Sequence, residues 1–385
     1  MKIIIITNSL FNIFNFRMDL IRNLQRNNFE VYVTCPSKCN ILKSSKSEIR
    51  KFFKENNIKF IPLEINRSSF NFLSDIFNFF KLYRFIKKEK INYSLSYTLK
   101  CVFYSGFMSK IFNINNTFSN ISGVGYIFMN NKFLVSLIRF VMLPLYRSSL
   151  SNYKKVIFQN LDDLNFYLNL KLVKKTQSTV ISGSGIDINY FNIKKNIVRD
   201  KDFIFVGRFL YDKGIDTYLK ACMILKDKYP YVTFSIAGNF DQNPSSISKD
   251  LLNYYVKNNT VHNYGQVKNI KPILNSHKII VLPSKREGLS KTLLEGMAMS
   301  MPLITSDVPG CKELVLANKN GFIVPFGNVK KLVTSMEYFI KNPNSIVKFG
   351  KLSREIVSKK YSSKLINSEI TKLLLNKQTS LFPES

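Results

Sequence analysis

Short apolar runs alternate with segments of helical periodicity from the beginning of the chain. Residues 2–7 are a run dominated by isoleucine, which has the length and composition of a buried parallel strand. After a polar loop, apolar residues recur at helical spacing, at Met18, Leu20, Ile21 and Leu24. Asn27 and Asn28 end this helix, and Glu30–Cys35 reads as the next strand. This order predicts an α/β domain of Rossmann type.

The same alternation starts again in the second half of the chain. A turn rich in glycine and polar residues at 180–191 precedes an apolar run at 203–206. A further strand is predicted at 231–237, a strand followed by a turn within 261–267, and a last helix at 364–376. A length of 385 residues suits two domains. We therefore predict an α/β protein with two Rossmann-like domains, 1–182 and 183–361, followed by a helix at about 362–378.

The segment 278–315 carries the strongest candidate for a functional site. Its apolar run at 279–282 is bounded by Pro283, and a polar loop follows. Ser290 can cap a helix that Pro302 ends, and 303–305 reads as the next buried strand. In an open α/β sheet, ligands bind at the carboxyl ends of the strands. Glu287 lies at that end of the predicted strand.

A second carboxylate can face the same crevice. Glu295 lies about a turn and a half into the helix. The amides near Thr292 and Leu293 belong to the first helical turn, where amides lack helical acceptors and can bind an anion. Two carboxylates that can bind sugar hydroxyls therefore flank a place for a phosphate.

The composition adds a strong positive charge. The chain has 57 Lys and Arg against 25 Asp and Glu, a formal net charge of +32, spread over both halves. Such a charge favours nucleic acid, anionic lipid or phosphorylated substrates. Because the sequence shows no known nucleic-acid-binding module, we expect phosphate and lipid partners and no nucleic acid.

Cysteines and apolar segments bear on the cellular compartment. The cysteines are odd in number and scattered, which suits free thiols in a reducing compartment: Cys35, Cys39, Cys101, Cys222 and Cys311. The apolar N-terminus superficially resembles a signal peptide but lacks a small-residue cleavage site. The longest apolar stretch, 133–146, contains Arg139 and Pro144 and is too short to span a bilayer. We therefore expect a cytoplasmic protein.

The string PS-x-x-EG-x(6)-E-G-M-A at 283–298, which contains Glu287 and Glu295, resembles the signature of the retaining family 4 glycosyltransferases. Members of that family have the GT-B fold, in which two Rossmann-like domains face each other across a cleft. The resemblance further implies that the helix at about 362–378 packs back on the first domain. Further matches extend over about residues 1–345. The glycine-free loop NSLFNIFNFR at 8–17 resembles the branch that builds capsule, O-antigen and protein-linked glycans on lipid carriers.

That branch supplies the candidates in the first domain. Residues 65–92 resemble its Arg-x-x-x-Asn segment, and SYTLK at 96–100 matches a His-Thr-x-Lys position, with Tyr97 in place of the histidine. ISGVGYIF at 121–128 matches a Gly-x-Gly-Tyr turn. On family position and charge, we expect these residues to bind the acceptor: Arg17, Arg67, Thr98, Lys100, Gly123 and Gly125.

The second domain supplies the donor site. Gly207, Arg208 and Lys213 follow the strand at 203–206, where glycine permits close approach of the backbone and the cations suit phosphate. The resemblance implies that Arg208 and Lys213 neutralise the leaving diphosphate. It further implies that Glu287 holds the transferred sugar and Glu295 the ribose. The predicted catalytic residues are therefore Arg208, Lys213 and Glu287. The predicted donor-binding residues are Gly207, Gly238, Val267, Gly288, Leu289, Ser290, Thr292, Leu293 and Glu295.

The resemblance implies retaining transfer of a hexose or N-acetylhexosamine from a nucleotide-diphosphate sugar, with a UDP-sugar favoured. The implied acceptor is a polyprenyl-diphosphate-linked saccharide in bacterial surface polysaccharide or glycan assembly. We expect no metal cofactor, because the Asp-x-Asp at Asp200 and Asp202 precedes its strand and reads as a solvated linker. Two alternatives stay open: a nucleotide-sugar 2-epimerase of similar fold, and a non-catalytic protein that binds polyanions or membranes.

The helix predicted within 65–92 is basic and amphipathic. Its basic residues are Lys81, Arg84, Lys87, Lys88 and Lys90, and its apolar side is Phe79, Phe80, Leu82, Phe85 and Ile86. Aromatic residues beside lysines suit a helix that lies in a membrane interface. An ordinary surface helix would instead pack its apolar side on its own sheet. We expect peripheral association with the anionic inner face of the cytoplasmic membrane, with this helix as the candidate contact.

Overall fold

The computed structural model describes residues 1–37, 45–65, 72–125, 128, 133–193, 198–241 and 243–376. The chain divides into two compact units. The first contains Met1–Ser184 and the chain from Lys364 onward, and the second is Gly185–Ser363. This division falls two residues after the predicted boundary between 182 and 183.

The first unit is built on a parallel sheet. Its strands are β1 (Lys2–Ile6), β2 (Glu30–Cys35), β3 (Lys59–Pro62), β4 (Tyr93–Tyr97), β5 (Asn116–Ile121), β6 (Lys155–Phe158) and β7 (Ser178–Val180). They are arranged in the order β3-β2-β1-β4-β5-β6-β7. The helices are α1 (Leu10–Asn12), α2 (Met18–Arg26), α3 (Lys46–Glu55), α4 (Phe72–Lys88), α5 (Leu99–Ile111), α6 (Phe133–Leu150) and α7 (Leu161–Asn169). A π-helical turn, Ile13–Arg17, joins α1 to α2.

Strand β1 is the centre of this unit because both of its faces are covered. Ile3 and Ile5 pack in one core layer with α2 and α3, whereas Ile4 and Ile6 pack in the opposite layer with α4 and α5. The alternation of strand side chains between faces explains why one isoleucine run feeds both layers. The strand, helix and strand predicted at the start of the chain are confirmed.

The second unit has its own parallel sheet. Its strands are β8 (Lys201–Val206), β9 (Phe234–Ala237), β10 (His262–Asn263), β11 (His277–Leu282), β12 (Leu303–Ser306) and β13 (Gly321–Val324), in the order β10-β9-β8-β11-β12-β13. Its helices are α8 (Ile215–Lys228), α9 (Lys249–Lys257), α10 (Lys271–Ser276), α11 (Lys291–Ala298), α12 (Val329–Lys341) and α13 (Pro343–Lys360).

One strand of the second sheet is much shorter than predicted. The run at 261–267 forms only the two residues of β10. The side chain of Asn263 accepts a hydrogen bond from the amide of Gly265 (2.8 Å), and Gly265 has φ of +64°. This Asn-centred turn is the turn expected in the segment, and it ends the strand after two residues.

The last helix, α14 (Ser363–Leu374), packs on the first unit. Its buried residues Ile366, Ile370 and Leu374 share a core cluster with residues of α2. The side-chain amide of Asn23 donates to the carbonyl of Asn367 (3.1 Å) and to the hydroxyl of Thr371 (2.8 Å). The first unit is therefore assembled from both ends of the described chain.

The apolar side predicted for α4 is in the core. Phe79, Leu82 and Ile86 are buried against the first sheet, so they cannot contact a membrane. The predicted membrane contact is therefore wrong for these three residues, because α4 uses them to cover its own sheet. The apolar residues that α4 does expose are Leu73, Ile76, Phe77 and Phe80. Among the described helices, none is both long and apolar enough to cross a membrane.

Candidate active site

The loop between β11 and α11 is fixed by the loop that follows β12. The amide of Glu287 donates to the carbonyl of Pro309 (3.0 Å), and the amide of Ser290 donates to the carbonyl of Gly310 (2.9 Å). Gly310 has φ of +79°, and a Cβ atom at this position would lie 2.3 Å from the carbonyl oxygen of Glu287. Glycine is therefore required there, and the backbone of Glu287 is held at the carboxyl edge of the sheet.

The short 3-10 helix Tyr211–Lys213, which follows β8, packs on the same loop. The carbonyl of Asp212 accepts from the amide of Lys285 (2.8 Å) and from the hydroxyl of Ser284 (3.1 Å). These contacts bring Lys213 to the loop, and its Nζ lies 2.5 Å from Oε1 of Glu287. Two residues predicted for catalysis, 74 positions apart, therefore meet as a largely buried ion pair.

Arg208 also follows β8, between the end of that strand and Lys213. The amide of Gly207 donates to the carbonyl of Ala237 (3.0 Å), and a Cβ atom on Gly238 would lie 1.8 Å from the carbonyl oxygen of Gly207. The loops after β8 and β9 are thus packed backbone against backbone. In this arrangement Nη1 of Arg208 pairs with Oδ2 of Asp241 at 2.5 Å. Asp241 was not predicted from the sequence. The only indication was that this acidic residue lies shortly after Gly238, a predicted site residue.

Glu295 is the fifth of the eight residues of α11 and is 8% exposed. Burial raises the pKa of its carboxyl group, and Nζ of Lys291, 3.7 Å away, offsets part of this effect. The helix can approach β11 closely because Gly296 has no side chain; a Cβ there would lie 2.6 Å from Cγ2 of Ile280. Burial therefore makes the ionised form of Glu295 unfavourable in free energy, and a ligand that donates hydrogen bonds to the carboxylate would offset this penalty.

The N-terminus of α11 is capped as predicted, with one consequence for the anion site. The hydroxyl of Ser290 accepts from the amide of Leu293 (3.4 Å), so this amide is already used, and the Leu293 side chain is buried. The prediction of two open amides is therefore corrected for Leu293. Thr292 lies beside it in the first turn, while Gly288 and Leu289 lie in the loop before the cap.

Val267 is half-buried on the segment that follows β10. The carbonyl of Gly265 on this segment accepts from the amide of Gly238 (2.9 Å). This hydrogen bond attaches the segment to the loop after β9, and hence to the loops that carry Gly207 and Arg208. The predicted donor residues thus lie on loops after β8, β9, β10 and β11, at one edge of one sheet.

On the first unit, Arg17 is the most unusual of the predicted acceptor residues because its guanidinium is buried. Its Cζ lies 3.7 Å from the centroid of the Tyr97 ring, and its Nη1 donates to the hydroxyl of Ser184 (2.7 Å). Burial lowers the pKa of Arg17. Among the described residues, its Nε has no hydrogen-bond partner. Tyr97, which replaces the histidine of the family pattern, therefore supplies a cation–π platform for Arg17.

Thr98 and Lys100 lie beside this pair, at the carboxyl end of β4. Thr98 has φ of +67°, which is rare for a residue other than glycine. Nζ of Lys100 pairs with Oδ2 of Asp75 at 2.6 Å, and the hydroxyl of Tyr104 lies 3.4 Å from the same oxygen. Asp75 was not predicted; it restrains Lys100 from the first turns of α4.

The remaining acceptor candidates follow the next strand. Gly123 and Gly125, after β5, have φ of +140° and +83°. A Cβ atom on Gly125 would lie 1.9 Å from Cδ1 of Leu99, so this turn lies against the start of α5. Arg67 lies outside the described residues. The described acceptor candidates therefore follow β1, β4 and β5 at the carboxyl edge of the first sheet.

Of the two acidic residues considered for a metal, Asp202 is engaged in the second sheet, whereas Asp200 is exposed before β8. Asp202 lies within β8, pairs with Lys278 (2.7 Å) and accepts from the amide of Thr233 (3.0 Å). It is part of the sheet and not the solvated linker that was predicted. Among the described residues, no group of three or more His, Cys, Asp or Glu side chains could hold a metal ion.

Comparison with known proteins shows which family the chain resembles. Residues 188–356 match the profile of Glycosyl transferases group 1. The chain is 28% identical over 344 residues to N,N'-diacetylbacillosaminyl-diphospho-undecaprenol alpha-1,3-N-acetylgalactosaminyltransferase of Campylobacter jejuni, covering 86% of this chain and 87% of that protein. The chain is similar to the group 1 glycosyltransferases, whose profile covers most of its second unit. The matched region includes Arg208, Lys213, Glu287 and Glu295, and the two alternative functions are set aside.

Solved glycosyltransferases share the fold of this chain. A glycosyltransferase from Rickettsia africae has a TM-score of 0.77 at 18% identity, covering 98% of this chain and 99% of that chain. Anabaena HepE in complex with UDP and glucose has a TM-score of 0.76 at 15% identity, covering 97% and 99%. The predicted GT-B fold is therefore confirmed.

Proposed function

We propose that this glycosyltransferase moves a hexose or N-acetylhexosamine from a UDP-sugar to a polyprenyl-diphosphate-linked saccharide, with retention at the anomeric carbon. The observation that carries the proposal is the cluster at the carboxyl edge of the second sheet. There, Arg208 and Lys213 are each held by a carboxylate on a neighbouring loop. The printed name of the Campylobacter jejuni relative, an acetylgalactosaminyltransferase acting on a diphospho-undecaprenol sugar, supports the acceptor class. The UDP complex of HepE supports the donor class.

In the proposed donor complex, the guanidinium of Arg208 and the ammonium of Lys213 bind the diphosphate. Both keep hydrogen-bond donors beyond those used by Asp241 and Glu287, because arginine has five N–H donors and lysine three. The first turn of α11 adds a partial positive charge. Glu295, buried beside Lys291, accepts the ribose hydroxyls, and Glu287 accepts hydroxyls of the transferred sugar.

The proposed reaction breaks the bond between the anomeric carbon and the diphosphate oxygen. The acceptor hydroxyl forms the new bond on the same face of the sugar, and its proton passes to the departing phosphate oxygen. Negative charge therefore develops on the leaving UDP, where Arg208 and Lys213 stabilise it. One such preorganised donor contributes on the order of 10²–10³ in rate. We propose that these two cations do this work without a metal ion.

On the first unit, Arg17 and Lys100 are the proposed ligands of the acceptor diphosphate. Arg17 lies on Tyr97 and Lys100 is paired with Asp75, so neither cation has to be ordered when the acceptor arrives. Guanidinium and ammonium groups suit a diphosphate through charge-assisted hydrogen bonds. A lipid-linked acceptor further implies peripheral association with an anionic membrane, which the net charge of +32 favours.

The test is a donor screen that measures UDP release in the presence of extracted lipid-linked saccharides. We expect release with one or a few UDP-sugars, and a product whose new linkage has the anomeric configuration of the donor. Lys213→Ala should lower turnover by about 10²–10³ while the circular dichroism spectrum is unchanged. Lys220→Ala, an exposed lysine of the same unit, is the matched control and should keep wild-type turnover.

Two outcomes would contradict parts of this proposal. Near-wild-type turnover of Lys213→Ala would remove this lysine from the diphosphate site. Loss of activity in EDTA, restored by a divalent metal, would show that the two cations do not suffice for the leaving group.

A further inference from the structure

Helix α6 exposes a set of apolar side chains between residues 138 and 145. Phe140 is 77% exposed and Val141 is 59% exposed, and Ile138 and Leu145 are also exposed. A cluster of exposed apolar side chains is unusual on the surface of a folded protein and marks an interaction site.

The second half of the same helix is firmly packed. The ring of Tyr146 stacks on Phe103 of α5, with 6.0 Å between the centroids. The hydroxyl of Ser149 donates to the carbonyl of Phe103 (2.6 Å), and Gly106 lets the two helices approach closely, since a Cβ there would lie 2.3 Å from Ser149. The C-terminal end of α6 is therefore packed on α5, whereas apolar side chains between residues 138 and 145 are exposed.

The exposed end lies beyond the carboxyl edge of the first sheet. Helices α5 and α6 both run away from that edge, because each connects two parallel strands of the sheet. Phe140 precedes Ser149 by nine residues, about 13 Å of helix, whereas α5 begins only about 6 Å before Phe103. The apolar end of α6 thus extends past the start of α5, where Thr98 and Lys100 lie.

Helix α4 exposes a second apolar set at the same edge. Leu73 is 82% exposed, and Ile76 and Phe77 are also exposed. They flank Asp75, whose ion pair with Lys100 places them level with the first turn of α5. Helices α4 and α6 lie on either side of α5, so their exposed apolar residues point to one end of the helical layer.

The positive charge near these residues favours an anionic bilayer as the partner. Residues 129–150 contain Lys132, Arg139 and Arg147 and no acidic residue. On α4, the exposed apolar residues are followed by exposed Lys81, Arg84, Lys87 and Lys88. Apolar side chains next to cations match a surface that offers hydrocarbon below anionic headgroups.

We infer that residues 138–145 of α6 and the first turns of α4 form a docking surface for an anionic lipid bilayer, with Phe140 and Val141 inserted below the headgroups. This inference rests on the proposed function for its purpose, since it would bring Lys100 and Arg17 toward the diphosphate of a lipid-linked acceptor. It differs from the contact expected from the sequence, which used the buried side of α4.

The absence of tryptophan from the chain allows a direct measurement. A single tryptophan is introduced as Phe140→Trp, and the matched control is Val347→Trp on α13, a position that is also 77% exposed. Both proteins are mixed with vesicles of phosphatidylglycerol and brominated phosphatidylcholine. We expect a blue shift and bromine quenching of the tryptophan at position 140 and neither at position 347. With vesicles of brominated phosphatidylcholine alone, both signals at position 140 should be much weaker.

A second pair of variants measures the contribution to binding. The double substitution Phe140→Ser with Val141→Ser should lower partitioning onto anionic vesicles at least tenfold, whereas Val347→Ser should not change it. Transfer to a water-soluble acceptor analogue should be unaffected in all of these variants, because none of the residues belongs to the proposed site. A vesicle-bound protein whose tryptophan at position 140 stays unquenched would overturn the inference.

Other results separate the inference from the proposed function. A dimer in sedimentation velocity that the double substitution dissociates, with no quenching by vesicles, would make a second copy the occupant and overturn the bilayer assignment. Quenching at position 140 by a protein that releases UDP from no UDP-sugar would support the docking surface and contradict the proposed function.

Discussion

At the scale of single residues, the candidate donor site is a set of opposite charges that cancel. Arg208 pairs with Asp241 and Lys213 pairs with Glu287, so these side chains carry no net charge before a ligand arrives. The pairs hold both cations in place, which reduces the ordering that a diphosphate would have to impose. In the proposed donor complex, they also place a carboxylate near the leaving group, which would weaken the attraction for the released UDP.

The role of Asp241 can be measured through the affinity for UDP. Asp241→Asn removes a negative charge and keeps a hydrogen-bond acceptor for Arg208, so UDP should bind about two- to tenfold more tightly. Titration calorimetry with UDP checks this, with Asp227→Asn on the exposed face of α8 as the control. If the variant bound UDP more weakly than wild type, orientation of Arg208 by the charge of Asp241 would be its dominant role.

Glu295 should give the binding of UDP a dependence on pH. Burial raises the pKa of its carboxyl group, so the group takes up a proton at a higher pH than an exposed glutamate does. Only the ionised form accepts both ribose hydroxyls, so UDP affinity should fall as the pH is lowered into the acidic range. Glu295→Gln should bind more weakly at neutral pH and show a flatter profile.

The control for that measurement is Glu337→Gln. Hydrogen bonds from Lys228 and Tyr229 lower the pKa of Glu337 to about 2, so this carboxyl group does not titrate in the same range. A Glu295→Gln variant with the wild-type pH profile would show that another group controls the binding.

At the scale of single elements, the loop between β11 and α11 depends on its neighbour after β12. Gly310→Ala should lower turnover at least about tenfold, because a Cβ atom would meet the carbonyl oxygen of Glu287 at 2.3 Å and displace it. Gly327→Ala is the matched control: Gly327 has φ of +76° and nothing within 4 Å of the added Cβ. Both variants incur backbone strain of about 1–3 kcal/mol, so only the difference between them reports on the contact.

Equal turnover in the two glycine variants would mean that the position of the Glu287 backbone does not limit the reaction. Turnover is measured with saturating donor, and the midpoint of thermal unfolding is measured in parallel, so that a loss of stability is not mistaken for a loss of catalysis.

The sequence predicted the elements of this region better than their contacts. The apolar runs at 279–282 and 303–305 and the cap at Ser290 reveal a strand, a helix and a strand, because periodicity and capping are local properties. The meeting of Lys213 with Glu287, and of Arg208 with Asp241, depends on how separate loops pack, which local patterns do not encode. The same limit explains α4: its amphipathic pattern showed an apolar side, but only the packed sheet determines which surface that side covers.

At the scale of the whole molecule, the chain forms two units, and the first is completed by a helix from the far end of the chain. Ile370 of α14 is 1% exposed and packs in the same core as Ile21 and Leu24 of α2. The periodicity of residues 364–376 indicates an apolar side. It does not say which unit that side will cover, which the family resemblance alone suggested.

Ile370→Ala should destabilise the first unit by about 2–5 kcal/mol and leave the second unit unchanged. Hydrogen exchange detected by mass spectrometry resolves the two: peptides of β1 and α2 should exchange faster, and peptides of β8 and β11 should not. Ile224→Ala, an exposed isoleucine on α8, is the control and should change neither set. Equal acceleration in both units would show that they unfold together.

The position of α14 also sets an order of events during biosynthesis. A ribosome adds about 5–20 residues per second, so roughly tens of seconds separate the synthesis of Leu24 from that of Leu374. During this interval the apolar residues of α2 lack their partners on α14, while Gly185–Ser363 emerges with all the partners of its own core. The unit that is translated first is therefore the last to be completed, and its nascent form is the stage at which a chaperone would have a hydrophobic surface to bind.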